Sequence, residues 1–109
     1  MQSPKPSQTE ILQQVLAPLL EDFLYWFDSS ISLLESETMP FLSEEEQSDL
    51  IGRIKEAQSQ VQAAKTLFHA TGGQAGVETQ VLMPWHRLVA ECWAIARKWR
   101  EVKQQESQN

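Results

Sequence analysis

Residues 19–27 read Leu19-Leu20-Glu21-Asp22-Phe23-Leu24-Tyr25-Trp26-Phe27, and how this stretch is covered decides the fold. Seven of its nine positions are apolar, and they recur at offsets of three and four, so as a helix it presents a wide apolar stripe. The run Tyr25-Trp26-Phe27 turns aromatic rings over most of the helix circumference. A large ring buries roughly 150–250 Å², so a single partner helix does not cover all three.

Working outward, apolar positions continue on both sides: Ile11, Leu12, Val15, Leu16, then Ile31 and Leu34. A helix over 9–37 fits them all. Ser7-Gln8-Thr9-Glu10 has the form of a capping box at its start, and residues 1–8, with Pro4 and Pro6, read as a tail. Pro18 falls inside this helix, where it removes a backbone bond at a cost of about 3 kcal/mol. Because the apolar phase runs through Pro18 unchanged, the sequence favours a kink near Gln14–Pro18 over two separate helices. Met39, placed before Pro40, is pushed to extended backbone, which stops the helix.

Ser43-Glu44-Glu45-Glu46 is a second capping box, with three carboxylates at the positive end of a helix dipole. Leu50, Ile54, Ala57, Val61, Ala64 and Phe68 then step by fours and threes, a heptad seam with small residues midway. The opposite face (Gln47, Arg53, Glu56, Gln60, Lys65) is expected in solvent. Thr71-Gly72-Gly73 supplies the left-handed backbone that ends a helix over 44–71. At 1.5 Å per residue that helix is about 42 Å long. Gln74-Ala75-Gly76 links it to a third pattern over 77–102, with Trp85, Cys92 and Trp99 seven apart on one stripe. Pro84 sits inside this pattern. Arg97, Lys98, Arg100 and Lys103 place positive charge towards its C-terminal end, and 104–109 read as a tail. Short links make neighbouring helices antiparallel, so the expectation is an all-α domain over 9–103: an elongated antiparallel three-helix bundle with a proline-kinked first helix.

The 109 residues carry a formal net charge of -6. Phosphate recognition needs a positive field, so nucleic acid is excluded as an expected partner. The charge is uneven. Residues 1–50 hold one base, Lys5, against ten acids, and residues 51–109 hold eight bases against five acids. The plain reading is mutual neutralisation between helices. The sharper one is a basic face on the last helix that docks an acidic partner or a membrane surface. One cysteine, Cys92, makes no intrachain disulfide, and a reducing cytoplasm is its natural setting. The first residues lack the apolar core of a signal peptide. No apolar run approaches the roughly 18 residues of a membrane span, which leaves at most peripheral membrane contact.

Chemistry-bearing residues are sparse. His86 has Ala90 at i+4 and Met83 at i−3, so it lacks the helical ligand spacing of a metal site. His69 reads as a surface residue near a helix end. Cys92 lies on the apolar stripe, where a buried inert thiol is the ordinary outcome, and six residues put His86 on the far side of the helix from it. Glu44, Glu45, Glu46 and Asp49 complement a helix dipole. Thr71–Gly76 is glycine-rich but lacks the Lys-Ser/Thr of a phosphate loop. No nucleophile–base set and no cofactor fingerprint is present, so neither catalysis nor a cofactor is expected.

The aromatic excess is the feature with functional content. Four Trp in so short a chain can simply fill a core. Yet Trp85 and Trp93 lie about 80° apart on the third helix at 100° per residue, and Trp99 adds another ring. With Tyr25-Trp26-Phe27 this is more ring area than three helices of this length enclose. The sequence therefore points to a non-enzymatic protein-interaction or accessory module, homodimeric through its first and third helices or docking another protein. Tyr25, Trp26, Trp85, Trp93 and Trp99 serve as anchors, and Arg97, Lys98 and Arg100 as steering charge. The alternative is a small carrier of a hydrophobic ligand, a pigment or a lipid.

Several blocks also carry a resemblance: Leu19 through Phe27, Leu33-Leu34-Glu35-Ser36-Glu37-Thr38 through Glu46, and Val77-Glu78-Thr79 through His86 with Glu91-Cys92-Trp93. Across roughly residues 10–100 the chain resembles a family of short cyanobacterial proteins known only as a domain of unknown function. The resemblance implies a cyanobacterial cytoplasm, with thylakoid association as its finer form. It implies no activity, ligand or functional residue.

Overall fold

The computed structural model describes residues 8–73 and 79–108. Within them lie three helices, α1 (Gln8–Ser36), α2 (Glu44–Ala70) and α3 (Thr79–Gln108), and no strand. The expected capping serine Ser7, the tail before it, the link 74–76 and the helix start at 77 fall outside the described residues.

α1 is the central element and packs against both other helices. Lys65 pairs with Glu21 and Lys55 with Glu35, so α2 runs back along α1. Phe23 meets Trp85 and Trp26 meets Trp93, so α3 returns in the direction of α1. The result is the expected all-α three-helix bundle. Its core is formed by Leu16, Leu20, Phe23, Phe27 and Leu34 of α1, the heptad residues Leu50, Ile54, Ala57, Val61 and Phe68 of α2, and Trp85, Leu88, Val89 and Cys92 of α3. Ala64, the remaining member of the heptad, packs against this core while partly exposed.

Pro18 lies inside α1, so it does not open a second helix. The proline gives no amide hydrogen to the Gln14 carbonyl, so α1 runs through this place with one backbone bond fewer. Pro84 likewise lies inside α3, five residues from its start, where few intrahelical bonds are at stake. α3 also runs on to Gln108, past the expected end at Val102. Helix-favouring Gln104, Gln105 and Glu106 sustain it, with a Lys103–Glu106 ion pair and a Ser107 hydroxyl donating to the Lys103 carbonyl. Arg97, Lys98 and Arg100 therefore stand well before the helix end, and the last turn holds no base. The dipole reading of these charges is corrected accordingly.

Both ends of α2 form as the sequence predicts. Ser43 Oγ accepts from the Glu46 amide at 3.0 Å and Glu46 Oε1 accepts from the Ser43 amide at 2.8 Å. At the other end, Gly73 N–H donates to Phe68 O at 2.7 Å and Gly72 N–H to His69 O at 3.1 Å. That pairing is the Schellman motif, whose left-handed residue is Gly72 (φ 63°); Gly73 follows it with φ 84°.

The connection 37–43 is held from α2. Gln47 Oε1 accepts from the Met39 amide at 2.9 Å, while its Nε2 donates to Leu34 O and Glu37 O, each at 2.8 Å. Met39 is thereby seated with no exposure at all. The expectation that Gln47 faces solvent is corrected: it caps the Leu34 carbonyl in the last turn of α1, which has no partner inside the helix, and the Glu37 carbonyl just beyond it.

The molecule is long, 68 × 28 × 20 Å with a radius of gyration of 17.9 Å. A compact chain of this length has about 13 Å. No helix here exceeds 30 residues, or about 45 Å, so the long axis comes from stagger. Lys98 lies over the Phe41 ring in the connection, and α3 therefore projects its last turns beyond the α1–α2 hairpin.

Candidate functional site

Three aromatic rings stay open to solvent: Tyr25 at 64% exposure, Trp26 at 38% and Trp93 at 42%. They form one group. Trp26 stands edge-on to Tyr25 at 5.2 Å between centroids and edge-on to Trp93 at 5.5 Å. Trp26 reaches across to α3 and Trp93 reaches back, so the rings bridge the α1–α3 seam on its outer side. The cause is local. Phe23 and Phe27 point into the core and stack at 6.1 Å. At 100° per residue, Tyr25 and Trp26 must then turn away from it. The three rings leave on the order of 300 Å² uncovered, comparable to the largest apolar patch of a typical monomer, which is often functional.

Trp85 does not belong to this surface. It is 3% exposed, packs edge-on to Phe23 at 5.9 Å, and donates its indole N–H to Gln60 Oε1 at 3.0 Å. Its role as an exposed anchor is corrected: the stripe it shares with Cys92 faces the core. Gln60 is exposed, as expected, and is in addition the acceptor for this buried indole. Trp99 is half-buried, with Lys103 Nζ 4.5 Å from its ring centroid. Arg97, Lys98 and Arg100 are exposed. Arg97 follows Trp93 by one helical turn and Arg100 by two, which puts both at one end of the ring cluster. Lys98 points away from the seam, over Phe41 at 5.5 Å.

Charge is distributed in two ways. Between helices it is neutralised: Arg53 forks onto both Glu91 oxygens at 3.1 Å and also reaches Asp49, Lys55 meets Glu35, and Lys65 meets Glu21. Arg53 and Lys65, expected simply in solvent, thus serve as cross-helix ties. Around the aromatic seam it is not: among the described residues Asp22, Arg97 and Arg100 make no ion pair. Asp22 precedes Tyr25 and Trp26 by three and four residues, so it flanks the rings on the side opposite Arg97.

The remaining chemistry is quiet. Burial pushes the Cys92 thiol above its ordinary value, with a Ser30 hydrogen bond opposing part of that rise. The neutral thiol is the form a core favours. His69 and His86 are exposed. No group of three metal-ligating side chains occurs among the described residues, and no helix there is long and apolar enough to cross a membrane. Depressions lie open on the surface. One runs along α2 past Ser59, Ala63 and Thr66, and another lies between α2 and α3 beside the Arg53–Glu91 pair.

Of the anchors expected from the sequence, Tyr25, Trp26 and Trp93 are exposed together, and the expected arginines lie beside them. Asp22, whose spacing from Tyr25 and Trp26 also places it by the rings, was no part of that expectation. A family model described as "Protein of unknown function (DUF2605)" matches residues 6–101. No curated protein and no solved structure matches the chain.

Proposed function

Because the chain belongs to the DUF2605 family of proteins of unknown function, whose description supplies no activity, we propose its role from the surface itself: a non-enzymatic protein-interaction module that works through the α1–α3 aromatic seam. The carrying observation is the three-ring cluster of Tyr25, Trp26 and Trp93, left open while four other rings (Phe23, Phe27, Phe68, Trp85) are enclosed. Tyr and Trp dominate binding hot spots because each provides a large, stiff, amphipathic contact. Arg97 and Arg100 at the rim supply charge that steers approach more than it adds affinity.

A carrier of a pigment or lipid has less behind it. Such a ligand needs a concavity that buries most of its surface, and the depressions described on this molecule are open on one side. A cytoplasmic setting, with the thylakoid surface as its finer form, goes with the same proposal.

Site-specific photo-crosslinking in the native host tests it. A photoreactive residue replacing Tyr25 should give a discrete protein adduct. The same residue replacing Ser59, on the outer face of α2, should give none. The adduct should weaken when Trp93→Ser removes the neighbouring ring. Equal labelling at the two positions, or none at Tyr25, ends the proposal.

A further inference from the structure

We infer that the occupant of the aromatic seam is a second copy of this chain, placed antiparallel about a two-fold axis near the Trp26–Trp93 pair. This rests on the seam being an interface, and adds who the partner is. The observation is the polarity of charge along the patch. α1 and α3 run in the same direction, and Trp26 touches Trp93 with 5.5 Å between ring centroids, so these two residues mark one height on the bundle. Asp22 lies four residues before Trp26, about 6 Å to one side at 1.5 Å per residue. Arg97 lies four residues after Trp93, about 6 Å to the other side, and Arg100 about 10 Å.

A two-fold axis perpendicular to the helices exchanges those heights. Asp22 of one copy then comes level with Arg97 of its mate, and the mate's Asp22 level with the first Arg97. The rings meet their own images at the centre. An isologous contact requires such self-complementarity, and the patch has it: a negative end, an aromatic middle and a positive end. Arg53–Glu91, Lys55–Glu35 and Lys65–Glu21 are matched across helices, whereas Asp22 and Arg97, beside the rings, make no ion pair within the described residues and are free to meet a partner's charges. An anionic bilayer suits this surface less well, because Asp22 sits beside the two rings that would have to enter it.

Charge reversal followed by rescue is the test, read by sedimentation velocity on the full chain over a concentration series reaching hundreds of micromolar. The parent chain should dimerise. Arg97→Asp and Asp22→Arg should each raise the dissociation constant at least about tenfold, since each brings like charges of the two copies to the same height at the seam. The double variant D22R/R97D should return to within about threefold of the parent, because both cross-copy pairs are re-formed in reverse. Both positions are exposed, so circular dichroism and melting temperature should not move, which separates a lost contact from a lost fold. Dimerisation in the parent with no rescue in the double variant overturns this arrangement. A parent monomeric throughout the series overturns the second copy altogether. If that monomer still gives the Tyr25 photo-adduct with a different polypeptide, the seam remains an interface; if it gives no adduct, both readings fall together.

Discussion

Replacing Gln47 with alanine removes three hydrogen bonds at once and strands the partly buried Met39 amide. Buried unsatisfied groups cost about 1–3 kcal/mol, so Gln47→Ala should lower the unfolding free energy by that amount, read as a lower urea midpoint with an unchanged slope. Met39 itself is fully enclosed, and Met39→Ala should cost about 2–5 kcal/mol through the cavity it leaves. Cys92 gives a chemical readout of the same core. Folding raises its thiol pKa, so its contribution to stability is complete below the unfolded value of about 8.5 and fades as pH rises through the folded one. A thiol reagent at neutral pH should label native protein only as fast as the bundle opens. Immediate labelling would mean the thiol is not enclosed. None of these roles follows from spacing. Gln47 and Gln60 look like ordinary solvent positions on a heptad wheel, because their partners belong to other elements and a periodicity carries no information about what lies across a gap.

α2 is the element most fully written in the sequence. Ser43 with Glu46, and Gly72-Gly73, act through neighbours within five residues and form as predicted; the heptad from Leu50 to Phe68 repeats within one helix and turns to the core, with Ala64 partly exposed. Ser43→Ala should cost about 1 kcal/mol, measured by thermal unfolding. The Glu46 carboxyl is held below its ordinary range, first by accepting the Ser43 amide and then by its bond with the Ser43 side chain. A depressed carboxylate contributes above its unfolded pKa, about 4.3, and that contribution disappears as pH falls through the folded value. Glu46→Gln should therefore differ from the parent at neutral pH, and the difference should shrink below pH 4. α1 and α3 were less legible. Their periodicity identifies an apolar face, but both carry more rings than one face accommodates. Which ring turns inward depends on where the other helix crosses: Trp85 lands against Phe23, while Trp93 lands against Trp26 at the rim. The stagger that exposes the end of α3 is likewise set by packing, not by any local signal.

At the scale of the molecule, elongation is the checkable property. Small-angle scattering on the charge-reversed R97D chain should give a radius of gyration near 17.9 Å, well above the roughly 13 Å of a compact chain this size. The hairpin of α1 and α2, clamped at its bend by Gln47, makes its contacts between segments close along the chain. α3 joins from farther away and leans mainly on α1. Such a plan gives the protein two cooperative units of unequal tenacity. In deuterium-uptake mass spectrometry the peptides of α3 should gain mass through a low-energy opening, while the middle of α1 and α2 waits for global unfolding. In that opening Phe23 is bared where Trp85 had covered it, so the released form is stickier than the closed one. A chain ending before Trp85, which leaves Phe23 without that cover, should therefore precipitate.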